Sequence, residues 1–254
     1  MVYRGRSGES EDLSQSSGRD IVLVHSSDIH VDDGYTARRH GGDGARGLAS
    51  VLGTAAALAA DAVLLAGDVF EHNRLPDPLL ERAAGLLGGC GMAVVALPGN
   101  HDPLTADSVW RRCGMAEAET VSVLGLTHAE AVRLPGLELE IWGIAHLDYG
   151  DMAPLAAARP RTTRWQVAMA HGHYRGDEDA NAAHRPSWLI SDEEIAATGA
   201  DYLALGHWNR PVRVGNGAVP AWYSGSPDLA QTVNRIRLAA DGTVTVDRAE
   251  IVWA

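Results

Sequence analysis

A chain of 254 residues that is 46% hydrophobic and 21% charged is long enough to bury one sizeable core, and its composition is that of a globular protein, not a disordered or fibrous one. Its formal net charge of -12 argues against a broad phosphate-binding face, because duplex affinity rests on cations that neutralise phosphates, although bound divalent ions would offset part of that charge. No apolar run approaches the roughly 18 to 20 residues of a membrane helix and the N-terminus lacks the apolar stretch of a secretory signal, so a cytoplasmic location with no membrane partner is expected. All 21 basic residues are arginine, which we ascribe to genome composition. Cys90 and Cys113 stand in no metal-binding spacing and are expected as buried thiols.

Residues 1–19 are rich in Ser, Gly, Glu, Asp and Arg with little to bury and are expected to be a disordered tail. From Asp20 onward short apolar runs at 21–25, 62–66 and 92–97 alternate with helical patterns at 45–60 and 78–87, a rhythm that predicts a sheet with helices packed outside it. The second half carries strand-like runs at 137–144, 165–170, 202–205, 218–223, 235–239 and 243–253. Together with the glycine-rich turn at 215–217, they predict hairpins and a second sheet. The expected fold is α/β, two stacked mixed sheets flanked by helices in an α/β/β/α sandwich, as a single domain over residues 20–254. Residues 172–188 form the longest candidate for a mobile segment over a site.

The chemistry lies where the apolar runs end. The first delivers His25-Ser26-Ser27-Asp28-Ile29-His30, a carboxylate and an imidazole two residues apart, a mixed donor pair that suits Mn, Fe or Zn better than Mg. The second delivers Gly67-Asp68, and the third delivers Gly99-Asn100-His101-Asp102. Later runs deliver His171-Gly172-His173 and Gly206-His207-Trp208-Asn209. Polar residues at the carboxyl ends of neighbouring parallel strands converge on one sheet edge, where α/β proteins place their sites.

This succession resembles the calcineurin-like metallophosphoesterase superfamily over most of residues 20–230. The flanking segments Gly67-Asp68-Val69-Phe70, Ala204-Leu205-Gly206-His207 and Tyr223-Ser224-Gly225-Ser226-Pro227 are most similar to the SbcD type of DNA repair exonuclease. The resemblance implies two divalent ions, with Mn favoured and Fe or Zn possible. Asp68 would bridge them, Asp28 and His30 would hold one, and Asn100, His171 and His207 the other. Such a pair activates a water for in-line attack at phosphorus. His101 would lie beside the leaving group as the general acid or as a stabiliser of the transition state, with Asp102 fixing its orientation. An SbcD relative would also work with an ATPase partner and carry a further DNA-binding capping domain, which is not expected here.

One position departs from the pattern. The family ends its last motif in a second histidine, and here that residue is Asn209, whose amide oxygen would tilt the first site toward Mn over Zn. His173 could contact phosphate or replace the missing ligand. Asn73, Arg74 and Arg175 follow the motifs closely enough to reach a substrate. His25 is expected to pack beneath the site, and His72, His146 and His184 to lie on solvated loops. The Ser-Gly-Ser-Pro turn reads as a shaping loop, because no base is in sight for either serine. Three functions stay open: a phosphodiester hydrolase acting on nucleic acid, a small-molecule or nucleotide phosphoesterase, and an inactive scaffold subunit.

Overall fold

The computed structural model describes residues 19–32, 34–156, 159–176 and 187–254. Residues 1–18 of the expected tail, much of the expected mobile segment and His184 lie outside them. In chain order the first half contains β1 (Ile21–Ser26), α1 (Tyr35–Arg39), α2 (Arg46–Ala57), β2 (Ala62–Ala66), α3 (Asp77–Gly89), β3 (Ala93–Leu97), β4 (Val121–Val123) and β5 (Ala131–Leu134). There follow β6 (Leu139–Gly143), β7 (Trp165–His171), β8 (His173–Tyr174), β9 (Leu189–Ile190), α4 (Asp192–Ala197) and β10 (Tyr202–Gly206). The chain closes with β11 (Val212–Val214), β12 (Ala221–Tyr223), α5 (Pro227–Ala230), β13 (Thr232–Leu238) and β14 (Val244–Glu250).

Two six-stranded mixed sheets result, ordered β14-β13-β1-β2-β3-β4 and β11-β12-β10-β7-β6-β5, with β8-β9 as a small third. The alternation of side chains along a strand decides what each face buries. On β7, Val167 and Met169 join the core shared with the first sheet, while Ala168 and Ala170 join a second apolar cluster. On β10, Tyr202 and Ala204 point into the first core and Leu203 and Leu205 into the second. The second cluster is capped by Ile195 of α4, and the first takes Leu48, Val51, Leu52 and Ala55 of α2, the spacing of one helical face. Helices thus flank a pair of stacked sheets, as the sequence predicts.

Three expectations need correction. The runs at 235–239 and 243–253 do not build the second sheet, because β13 pairs antiparallel with β1 in register Leu23↔Ile236 and β14 extends that same edge. Only some of the second-half runs form hairpins, since β6, β7, β10 and β12 run parallel to one another. The two cysteines are free and only half-buried.

Candidate metal centre

β1, β2 and β3 are parallel neighbours, as are β7 and β10, and both sets point their carboxyl ends at one place. At that place the sheets touch through backbone, and glycine permits it. A Cβ on Gly206 would stand 1.8 Å from the carbonyl oxygen of Ala66, and one on Gly67 2.0 Å from Nδ1 of His171. The glycines of the Gly-Asp and Gly-His pairs are therefore steric requirements of inter-sheet contact.

The turns that follow these strands are strained. Asp28, His30 and Asp68 adopt φ of 52°, 53° and 52°, and His207 adopts 108°. Such conformations cost about 1–3 kcal/mol each for residues with a side chain and persist where the surroundings over-determine them. Here the amides of Asp28 and His30 bond the carbonyls of Gly67 and Asp68 at 3.0 and 3.1 Å, so one turn braces the other.

The side chains then converge. His171, fully buried, sets Nδ1 2.9 Å from the carbonyl oxygen of Ala66. A carbonyl only accepts, so Nδ1 carries a hydrogen and Nε2 is turned inward, 3.0 Å from Asn100 Oδ1 and 3.1 Å from Asp68 Oδ2. Asp68 Oδ1 also accepts the amide of His101 at 2.9 Å. Both oxygens of Asp28 accept the amide of His207, at 3.2 and 3.0 Å, and its Oδ2 also accepts Ser27 Oγ, which lies 3.0 Å from Ser224 Oγ. Potential ligand atoms of Asp68, His171 and His207 fall within 4.8 Å of one another, as do those of Asp28, His30 and Asp68.

This pocket demands positive charge. Burial alone would lower the pKa of His171, but Asp68 and Asp28 outweigh it and push it up to about 9. Burial would raise Asp68, yet His171 holds its carboxyl well below the ordinary range. Burial, aided by the neighbouring Asp68, raises Asp28. Without a cation, the lone pair of a neutral His171 would face the oxygens of Asp68 and Asn100. His30 Nδ1 lies 2.8 Å from Glu71 Oε2. Carboxylate, amide and imidazole donors around such a point fit divalent ions of hard to borderline character.

Glu71 is the residue that sequence reasoning missed. It faces Nδ1 of His30 and, through its backbone carbonyl at 2.9 Å and Oε1 at 3.6 Å, Nδ1 of His101. The two rings meet edge to face at 4.9 Å. The Glu71 carboxylate is the main reason that His101 is pushed up to about 9, and the two imidazoles lower Glu71 to about 2. Glu71 directly follows Gly67-Asp68-Val69-Phe70, and that adjacency was the available signal.

Asp102 does not orient His101. It is buried with Oδ2 on the amides of Val69 and Phe70 at 3.0 and 3.2 Å and Oδ1 on that of Gly99 at 2.7 Å, so it latches the two loops to each other. Burial and the nearby Asp68 push it up to about 6. Asn73 is not a substrate contact either. It is buried, giving its amide to Pro103 and Thr105 at 2.9 and 3.0 Å and taking that of Val109 at 3.0 Å.

His173 accepts the indole N–H of Trp208 on Nδ1 at 2.9 Å, which places its proton on Nε2 in the neutral form and leaves no lone pair there for a metal. His146 is buried rather than solvated, with Nε2 2.9 Å from the carbonyl of His171, and burial lowers it to about 4. His25 packs beneath the site as expected, bonded to the Tyr202 hydroxyl at 2.9 Å.

Two clefts open on the centre and share Glu71. One, of about 640 Å³, is lined by Asn100 and His101 together with His72, Arg74, Tyr149 and Trp188. The other, of about 350 Å³, is lined by His30, Asn209, Tyr35 and Arg39. Arg74 and Asn209 thus stand at the site, whereas Arg175 lines neither cleft.

Comparison with known proteins agrees with this geometry. The profile of the calcineurin-like phosphoesterase family matches residues 21–211. Over 203 residues the chain is 26% identical to YhaO of Bacillus subtilis strain 168, named an uncharacterised metallophosphoesterase, covering 74% of this chain and 48% of YhaO. The chain therefore spans about half the length of that curated relative. Similar solved structures include TT1561 of Thermus thermophilus, with TM-score 0.58, 10% identity and coverage of 91% of this chain and 99% of that one. A Staphylococcus aureus protein described as a candidate 5'-nucleotidase has TM-score 0.61 and 12% identity, covering 92% of this chain and 54% of that one. At these identities the structures establish the fold.

Proposed function

The chain belongs to the calcineurin-like phosphoesterase family of metal-dependent phosphoester hydrolases, and from that membership we propose that it is a phosphodiesterase of SbcD-like type working with two divalent ions, Mn favoured. The observation that carries the reading is the meeting point of Asp68, His171 and Asn100, whose carboxylate, imidazole and amide atoms converge as a donor set that suits a divalent ion. Asp28, His30 and Asp68 would hold one ion, with Asn209 offering its amide oxygen from the same cleft; Asp68, Asn100, His171 and His207 would hold the other. Bound there, the ions supply an activated water and neutralise charge on the phosphoryl oxygens.

The chain's own contribution is positional and protic. His101, held by Glu71 and lining the larger cleft, carries a proton that can pass to a departing oxygen. Two separate clefts that meet at Glu71 suit a substrate with two organic groups on phosphorus, which favours a diester over a monoester. The net charge of -12 supports a second reading, a nucleotide or other small diester rather than duplex DNA, and for that substrate no ATPase partner is needed.

Mn-loaded protein is to be assayed on bis(p-nitrophenyl) phosphate, single-stranded and duplex DNA, and nucleotides. Replacing Asp68 with Asn should lower turnover at least a thousandfold and reduce bound metal measured on the same preparation. Full activity in that variant sinks the assignment. Metal binding without turnover on any substrate would leave the scaffold reading instead.

A further inference from the structure

Resting on the phosphodiesterase reading, we propose that the smaller cleft is a subsite for the nucleoside that stays on phosphorus, with its base stacked on Tyr35. The cleft shares His30 and Glu71 with the metal centre, so a group lying in it is within reach of whatever occupies that centre. His101 and Asn100 line the larger cleft, so the leaving group is assigned to that cleft and the retained arm to the one that holds Tyr35.

The lip of the smaller cleft is built to present apolar surface. Tyr35 and Leu229, each 62% exposed, are among the few large hydrophobic side chains left in solvent among the described residues. The guanidinium of Arg39 lies 5.8 Å from the centre of the Tyr35 ring. An exposed ring backed by a guanidinium is a platform for a nucleobase.

The platform is rigid and tied to the centre. Asp32 accepts the amides of Gly34, Tyr35 and Ala37 at 3.0, 3.1 and 3.2 Å, which pins the first turn of α1. Thr36 Oγ1 donates to the carbonyl of His30 at 3.0 Å, so α1 is bonded to a proposed metal ligand. The acids of the cleft are already engaged, Asp32 by these amides, Asp228 by His40 at 2.8 Å and Glu71 by His30 at 2.8 Å, and Arg39 is the arginine that lines it.

Thymidine 5'-(p-nitrophenyl phosphate) and methyl p-nitrophenyl phosphate share a leaving group and differ only in the retained arm. With Mn-loaded protein, Tyr35→Ala should cut the ratio of kcat/KM for the thymidine ester over the methyl ester about tenfold or more. An unchanged ratio overturns the subsite, as does a ratio that moves in Tyr149→Ala instead, which would reverse the two arms. If the unaltered protein hydrolyses neither ester, the phosphodiesterase reading fails on its own, and calorimetric binding of thymidine 5'-phosphate decides the subsite. Affinity that depends on Tyr35 upholds it; equal affinity in the variant, or no binding by the unaltered protein, overturns it.

Discussion

Glu71 illustrates how one side chain can set the state of two others. His30 and His101 both turn Nδ1 toward it, which leaves Nε2 of each ring for other work. On His30 that work would be ligation, in the carboxylate–histidine–metal pattern; on His101 it would be carriage of a proton. The carboxylate raises the pKa of His101, so activity that needs its proton should be lost as pH rises. Cations bound alongside lower that pKa, and Glu71 opposes them. Glu71→Gln removes the charge while keeping the backbone carbonyl, so the alkaline limb of the kcat profile should move to lower pH. Mn affinity should weaken about tenfold, the lower end of what loss of such an outer partner costs a metal site. An alkaline limb that stays in place in the variant would show that Glu71 does not govern the proton on His101.

At the scale of elements, the strand ends explain why the motifs begin with glycine. β2 and β10 belong to different sheets, and Gly206 packs so close to the β2 backbone that a Cβ on it would stand 1.8 Å from the carbonyl oxygen of Ala66. Gly206→Ala must push the sheets apart just where His171 and Asp68 meet. We expect loss of at least one bound metal and a destabilisation of about 2–4 kcal/mol by urea denaturation. Wild-type stability with full metal content would mean that the sheets can slide without cost. The strands and most donor residues were legible in the sequence because each is an apolar run closed by a polar residue, as in 62–66 followed by Gly67-Asp68. Short edge strands such as β4, β5 and β11 were not, since three or four residues carry too little periodicity. Nor were roles that depend on contacts remote in sequence. Asp102 looked catalytic from its neighbour His101, yet its bonds go to Val69, Phe70 and Gly99. Asn73 looked close enough to the second motif to reach a substrate, yet it is walled in by the segment from Pro103 to Val109. The pairing of β13 with β1 joins residues more than two hundred apart, and nothing local announces it.

That pairing closes the molecule around His25, which couples folding to pH. His25 on β1 is fully buried against Tyr202 of β10 and Asn234 of β13, so it belongs to the contact between the two sheets. Burial lowers its pKa from 6.5 to about 3. A histidine lowered in the folded state stays neutral there while the unfolded chain takes up a proton below about pH 6.5, so stability falls with acidification from that pH toward 3. His146 acts in the same direction. His101 and His171, raised in the fold, act oppositely: their contribution is complete below about pH 6.5 and is lost as pH climbs through 9. A total stability curve mixes all four, so the test is a difference. In EDTA, urea unfolding of the unaltered protein and of His25→Gln should be followed by tryptophan fluorescence at pH 7 and pH 5. The stability gap between them should shift by about 2 kcal/mol in favour of the variant at the lower pH, the protonation of one unfolded histidine over that interval. A gap that is the same at both pH values would mean that His25 takes up its proton inside the folded chain, and that the inter-sheet contact around it admits charge.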